Sequence, residues 1–477
     1  MNKNIFYKII KNLKDEKVAI YSETDYTYRN IYDHYIKYKK LLKIYKVNKN
    51  SCIAIKLNFG LDYISIILAS YTNKNKILII NPRTNYSEDK IKIYDTKSLL
   101  LFTELKKNNS IKISNNLFLN KYNFKNKTIF QDDDFIILYT SGTTKKPKGV
   151  LLSEKNISNN IISIIDNLNL DKTYSTIIFS NPSYAMGLSQ IFTFLYLKAP
   201  FSISKYGLMF PRQILDKIQK YKTKIVNINS SMAKILIKND IEKKSFKFVK
   251  IVMHGGMPLD KAVYKYFKFK FPNAKIINFY GCTENSPRIS HYEMKNYMPN
   301  CVGIPLRGVK IKIHNKIYLK NGNIRGELAV SGNSLSRGYL KLDSLNKKKF
   351  INKFFYTGDY VEINKKKEIF LIGRIDNTFR VGHEKLEPEE IENFLNKIDG
   401  IAESFVTKTK DKILNWKPIY FIKRSNKNLT KKTVYSIASR LLESFKLPKN
   451  IFFVNRLYKT NYGKLDRSKN EEKLINN

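Results

Sequence analysis

At 477 residues with 43% hydrophobic side chains, the chain is long enough for two to four compact units with a sizeable core, which sets aside a small disulfide- or metal-stapled scaffold. The formal charge of +47 comes from 87 basic against 40 acidic residues, yet only 13 of the basic residues are arginine and the lysines run along the whole chain beside abundant Asn, Ile, Tyr and Phe. That is the usage of an AT-rich coding sequence rather than of a focused basic face, so no nucleic-acid partner is expected.

Cys52, Cys282 and Cys301 are odd in number and widely spaced, which suits free thiols in a reducing compartment. The five histidines show no metal-ligand spacing with them. No apolar run reaches the roughly 18–20 residues that span a bilayer, and the N-terminal stretch lacks the long apolar core of a signal peptide. A cytoplasmic protein without a transmembrane segment is the expectation.

In chain order, short apolar runs at 53–57 and 77–80 alternate with helical patterns at 31–44 and 63–71, which predicts βα units and a parallel sheet. Residues 108–126 are polar and lysine-rich and read as an exposed loop with short strands. Residues 134–138 (DFIIL) read as a buried strand, and 151–168 as a helix. Further strands are predicted at 176–179, 225–228, 249–253 and 276–279, with helices at 187–197 and 260–271. From 309 the pattern changes to short strands separated by Gly and Asn turns, a small barrel-like subdomain over about 306–374. A helix at 387–395, strands near 404–406 and 419–422 and a helix at 431–445 make a last α+β unit. The predicted division is a large unit at 1–375 and a small one at 376–477.

Between the strand at 134–138 and the helix at 151–168 lies YTSGTTKKPKGV, residues 139–150. Gly142 and Gly149 permit close backbone approach, Thr140, Ser141, Thr143 and Thr144 offer hydroxyls, and Lys148 is a mobile cation. That combination suits a polyphosphate. It is not the P-loop of nucleotide triphosphatases, because Gly149 is followed by Val150 rather than by Lys-Ser/Thr. Downstream follow His254-Gly255-Gly256-Met257-Pro258, then Asn278 and Tyr280-Gly281-Cys282-Thr283-Glu284, then Tyr356-Thr357-Gly358-Asp359, Gly373-Arg374-Ile375-Asp376, and finally 459–467 (KTNYGKLDR).

This ordered set resembles the adenylate-forming, or AMP-binding, superfamily, which includes acyl-CoA synthetases, luciferases and the adenylation domains of peptide synthetases. The resemblance runs from about residue 18 to 467. It implies a mixed α/β enzyme whose large N-terminal part is hinged to a small C-terminal domain. It further implies that the 139–150 loop handles the phosphates of ATP, that Gly255, Gly256, Asn278, Tyr280 and Gly281 wall the adenine, and that Thr283 contacts the α-phosphate. Glu284 would hold Mg²⁺, Asp359 the ribose hydroxyls, and Arg374 the ribose or phosphates. Asp376 would be the hinge, and Lys464 the catalytic lysine. The implied reaction joins a small-molecule carboxylic acid to AMP with loss of pyrophosphate and passes the acyl group to a thiol, coenzyme A or the phosphopantetheine of an acyl carrier protein, with CoA favoured.

Two departures stand out. Tyr458 replaces a usual proline, and His383 occupies the place of a glycine that lets pantetheine pass, with Gly382 one residue early. Residues 181–188 (NPSYAMGL) resemble the acyl-pocket segment, so Tyr184, Asn229 and Met257 are expected to line it. No Asp occurs between Ser180 and Pro200 to pair a substrate ammonium, which argues for an acid without an α-amine.

Overall fold

The computed structural model describes residues 4–475, apart from 107–108, 125–128, 141–146, 205–208, 243, 258, 382–383, 412 and 461–462. The chain divides into two compact units, Met1–Ile311 with Val330–Tyr356, and Lys312–Ala329 with Thr357–Asn477.

The first unit is built on parallel β-structure. One sheet runs in the order Ile111–Ser114, Leu117–Lys121, Leu100–Thr103, Cys52–Lys56, Lys76–Ile79, Asp134–Thr140, Lys148–Ser153. Its centre is parallel, with Cys52–Lys56 between Lys76–Ile79 and Leu100–Thr103 and all five of its residues buried. In the second sheet, Lys275–Gly281, Ile251–Gly255, Ile225–Asn227, Thr176–Ile178, Phe201–Ile203 and Val18–Tyr21 lie side by side in parallel. Arg288–Glu293 and Cys301–Pro305 then turn antiparallel beyond Lys275–Gly281. Strands covered on both faces read as continuous apolar runs, which is why IAI, KILI and IVM were visible in the sequence.

One expected element changes type. Residues 151–153 belong to the strand Lys148–Ser153, which pairs antiparallel with Asp134–Thr140; the helix begins only at Glu154 and runs to Leu168. Val150, Leu151 and Leu152 are all buried, and a run that short carries no period to separate strand from helix. Ser153 marks the true helix start, its side chain accepting from Asn156 N while Asn156 Oδ1 accepts from Ser153 N.

The second unit contains the end of Phe354–Ile363 paired antiparallel with Ile369–Arg374, then the hairpin Phe379–Val381 with Glu384–Leu386. A three-stranded sheet follows, Ile401–Asp411, Asn415–Arg424 and Asn450–Phe453, the last two parallel. Val381, Leu386, Ile391, Leu395, Val406 and Tyr420 share its core, with Ile391 and Leu395 supplied by the helix Pro388–Leu395.

Several helix ends depart from usual composition. The left-handed C-cap residue is Lys97 (φ 50°), Asn169 (φ 49°) and Lys198 (φ 55°) after Tyr86–Thr96, Glu154–Leu168 and Ala185–Leu197, where glycine is the ordinary choice.

Candidate active site

The phosphate-loop candidate begins where Thr140 and Lys148 face each other across the pair of strands Asp134–Thr140 and Lys148–Ser153. Gly149 fits closely here, since a Cβ would stand 3.1 Å from the Tyr139 ring and would press it aside by a few tenths of an ångström. Ser141, Gly142, Thr143 and Thr144 lie outside the described residues. Alongside Gly149 and Leu151 runs a short segment of backbone, Leu151 N donating to Gly338 O (3.0 Å) and Leu340 N to Gly149 O (2.8 Å). That segment carries Tyr339. Its hydroxyl donates to Glu284 Oε1 at 2.6 Å, and the Lys148 ammonium sits 5.7 Å from its ring centroid. One tyrosine therefore ties the candidate metal carboxylate to the base of the phosphate loop. Sequence reasoning missed it, since no period or spacing links 339 to 284.

Thr283 and Glu284 form the one-turn 3-10 segment Thr283–Asn285 just after Lys275–Gly281, and Ser336 N donates to Glu284 O at 2.7 Å. Gly281 has no room for a side chain: a Cβ would meet Pro287 O at 1.9 Å. Tyr280 is buried, and Gly255 ends its strand with the Phe279 ring 2.5 Å from where a Cβ would be. Gly256 follows, exposed and at φ +81°, a conformation glycine adopts freely.

Asn278 is 2% exposed and faces inward. Its amide donates to Cys301 O (2.7 Å) and Pro299 O (3.3 Å), and its Oδ1 lies 3.2 Å from His254 Nδ1. His254 Nε2 lies 3.0 Å from Ser230 Oγ. Burial pushes the His254 imidazole down to about 4, so it is neutral at pH 7. With Nδ1–H donating to Asn278 and Nε2 accepting from Ser230, this buried pair braces the backbone that continues into Gly255 and Gly256.

Of the pocket candidates, Tyr184 precedes the helix Ala185–Leu197 and its hydroxyl accepts from Asn81 Nδ2 at 2.7 Å. Asn229 caps the helix Ser230–Asn239 by accepting from Met232 N at 2.9 Å. Met257 is half-buried just after the glycine pair.

In the second unit, Arg374 gathers the expected ribose and hinge residues. Its Nη1 donates to Asp359 Oδ1 and Thr357 O, both at 2.8 Å, and its Nη2 to Asp376 Oδ2 at 3.1 Å. Desolvation lowers this guanidinium, but the two carboxylates outweigh it and hold it above the ordinary value. The Lys464 side chain keeps solvent exposure, yet the protein around its ammonium desolvates it enough to lower its pKa; Asp359 opposes that shift and Arg374 adds to it. Lys464, Asp359 and Arg374 thus share one electrostatic neighbourhood.

The backbone at Lys464 is held by Thr460 N donating to Lys464 O (2.8 Å), with Gly463 at φ +78°. Tyr458, the departure from proline, uses the N–H that proline lacks, donating to the buried Asn470 Oδ1 at 2.9 Å. Gly382 and His383 lie outside the described residues.

Among the described residues no cluster of three or more His, Cys, Asp or Glu could form a metal site, and no helix is long and apolar enough to cross a membrane. A lone carboxylate such as Glu284 fits Mg²⁺, which is commonly bound by one or two carboxylates together with substrate phosphates and water.

The chain is 29% identical over 343 residues to 2-succinylbenzoate–CoA ligase of Oceanobacillus iheyensis, covering 71% of this chain and 70% of that one. It is 30% identical over 286 residues to bacitracin synthase 3 of Bacillus licheniformis, covering 58% of this chain and only 4% of that much longer protein. In structure it is similar to ATP-bound MatB from Rhodopseudomonas palustris, with a TM-score of 0.86, 19% identity and 99% and 100% of the two chains covered. It is also similar to O-succinylbenzoate coenzyme A synthetase from Bacillus subtilis in complex with AMP, at 0.82, 20%, and 98% and 97%. The family described as AMP-binding enzyme matches residues 8–340, and to that family the chain belongs.

Proposed function

We propose that the protein is a magnesium-dependent, AMP-forming acid–thiol ligase. A carboxylate attacks the α-phosphorus of ATP, pyrophosphate leaves, and a thiol then displaces AMP from the acyl-adenylate. The observation that supports this is the Arg374 guanidinium bound to both Asp359 and Asp376, with the charges of Asp359 and Arg374 felt at the Lys464 ammonium. A cation next to the ribose-binding carboxylate is where charge on the transferring phosphoryl group needs an opposite sign.

Two anions must meet in the first step, so its barrier is largely electrostatic, and a single positioned donor can be worth roughly 3–4 kcal/mol. Lys464 supplies such a donor, while Thr283 and Lys148 bind phosphate oxygens. Glu284, steadied by Tyr339, would hold Mg²⁺, whose chemistry is to neutralise phosphate charge. Gly255, Gly256 and Tyr280 shape the adenine wall, with Asn278 acting behind it through His254. Tyr184, Asn229 and Met257 face the acid. Asp376, held by Arg374, is the hinge at which the segment from 376 onward turns between the two half-reactions. Coenzyme A is the favoured acceptor, because relatives of the chain are named as CoA ligases; a carrier protein is the second reading.

ATP–pyrophosphate exchange with a panel of acids is the test. Exchange that depends on one class of acid and falls about 100-fold or more in Lys464→Ala is expected. Undiminished exchange in that variant would sink the reading.

A further inference from the structure

Arg288 opens the strand Arg288–Glu293, which runs back along Lys275–Gly281 with Gly281 as its partner. Its side chain lies among the ends of three neighbouring strands. The guanidinium stacks 4.1 Å from the Phe279 ring centroid, Nη1 is 3.5 Å from Met253 Sδ, and Nη2 is 3.4 Å from Asn227 Oδ1. Phe279 and Met253 belong to the strands that lead into Tyr280 and Gly255, and Asn227 ends the strand that precedes Asn229. In parallel sheets these carboxyl ends are where ligands bind.

The residue is 4% exposed, and among the described residues no carboxylate pairs with it. Both of its polar contacts are long, one of them to a thioether, and among the described residues Nε has no partner. Ser290 Oγ, two residues along the same strand, and Asn285 Oδ1 are likewise buried without partners. The backbone here is nevertheless fixed with care: Asn160 Nδ2 donates to Arg288 O (2.8 Å) and Asn285 O (3.1 Å), and Arg288 N donates to Asn160 Oδ1 (3.2 Å).

A buried cation short of an anion is costly to a folded chain unless a counter-charge arrives. Desolvation pushes the Arg288 guanidinium down to about 9, which leaves it charged at pH 7, and its charge helps burial keep the nearby His291 neutral. The aromatic face of Phe279 offsets part of the cost but does not use the in-plane donors. A carboxylate would use them, in the bidentate fashion for which the guanidinium fork is shaped.

We infer that Arg288 binds a second carboxylate of the substrate, so that the acid activated here is a dicarboxylic acid whose far end is held at Arg288 while its near end reacts. This rests on the acid-activating reading above and narrows its substrate class. The absence of an Asp in 180–200 is consistent with it, since the group to be matched in the pocket is then an anion and not an ammonium.

The test uses the full-length protein and matched pairs of aliphatic and aromatic acids, each monoacid compared with the diacid of equal length, in two assays. In ATP–pyrophosphate exchange the preferred diacid should exceed its monoacid partner at least about 100-fold in kcat/KM, as sites built around a buried polar group reject analogues lacking its partner. In Arg288→Met, checked for folding by circular dichroism, that preference should collapse to within about threefold. In thermal melts without nucleotide, the diacid and not the monoacid should raise Tm in the wild type, and neither should in the variant. Diacid-specific stabilisation with no exchange would keep Arg288 as a carboxylate site and overturn the ligase reading. Exchange with monoacids matching or exceeding diacids would keep the ligase reading and overturn this inference, and so would melts and exchange both indifferent to the second carboxylate. A diacid preference that survives in folded Arg288→Met would also overturn the inference, and Arg288→Lys, which keeps the cation but not the fork, supplies the comparison where the methionine variant fails to fold.

Discussion

Replacing Arg467 by methionine removes the cation from a buried carboxylate cluster three residues beyond Lys464. Arg467 Nη2 donates to both oxygens of Glu392, at 2.8 and 2.7 Å, and lies 3.2 Å from Glu389, while Nη1 donates to Val406 O at 3.0 Å. The two side chains of the main pair are 18% and 7% exposed. Burial raises Glu392 to about 7 in spite of the guanidinium, and Glu389 adds to that rise; the carboxylates in turn outweigh desolvation and hold Arg467 above its ordinary value. Both Glu392 oxygens accept from the one guanidinium nitrogen, and breaking a buried pair from one side costs about 3–5 kcal/mol, because a charge is left buried alone.

For a unit of this size about 1 kcal/mol moves Tm by roughly 3–5 °C, so a fall of about 10–20 °C is expected. The sign of the pH dependence follows. A carboxyl whose folded pKa stands above its unfolded 4.5 costs stability as pH rises between the two values, and losing Arg467 moves the folded value higher still. The deficit of the variant should therefore grow from pH 6 to pH 8. Calorimetry of the wild type, Arg467→Met, Glu392→Met and the double variant measures it, with the double variant recovering most of the loss. A single variant within 2 °C of wild type at pH 8, or a double variant as unstable as the sum of the singles, would refute the reasoning.

Tyr339→Phe should leave the fold intact and weaken the orientation of Glu284; a hydrogen bond to a charged acceptor is worth about 1.5–3 kcal/mol, so the Mg²⁺ concentration for half-maximal exchange should rise on the order of tenfold. An unchanged Mg²⁺ titration would remove Tyr339 from the site. His254, held neutral with its value lowered from 6.5 to about 4, makes the unfolded chain the better proton binder between those values, so stability is lost as pH falls through that window. The loss is about 3 kcal/mol, seen as a gap between pH 7 and pH 4 in urea unfolding that His254→Asn should narrow.

The parallel strands were legible because strands buried on both faces have little room for polar residues: CIAIK and the strand Ile251–Gly255 announce themselves. The motifs at 139–150, 254–258, 280–284, 356–359, 373–376 and 459–467 were legible because glycine spacing and hydroxyl clusters carry local geometry. What was hidden depends on contacts distant in sequence. Residues 151–153, the end of the strand Lys148–Ser153, looked helical, since so short an apolar run fits either period. Tyr339 reaches Glu284 across 55 positions, and the want of a partner at Arg288 exists only once the surrounding strands are in place. The side chain of Asn278 is engaged by Cys301, Pro299 and His254, an arrangement no spacing announces.

The lysines that stand where helices ordinarily end in glycine join two facts that otherwise look separate. With 19 glycines in 477 residues the chain is poor in the residue that turns left-handed without cost, and Lys46, Lys74, Lys97, Lys198 and Lys222, at or just past helix ends, take up that conformation instead. Each gives up roughly 1 kcal/mol relative to glycine, and a domain's whole margin over its unfolded ensemble is only about 5–15 kcal/mol. The abundance of lysine thus reaches past the surface into the backbone. The lysine usage that makes the protein cationic therefore also draws on the margin of its fold, one helix end at a time.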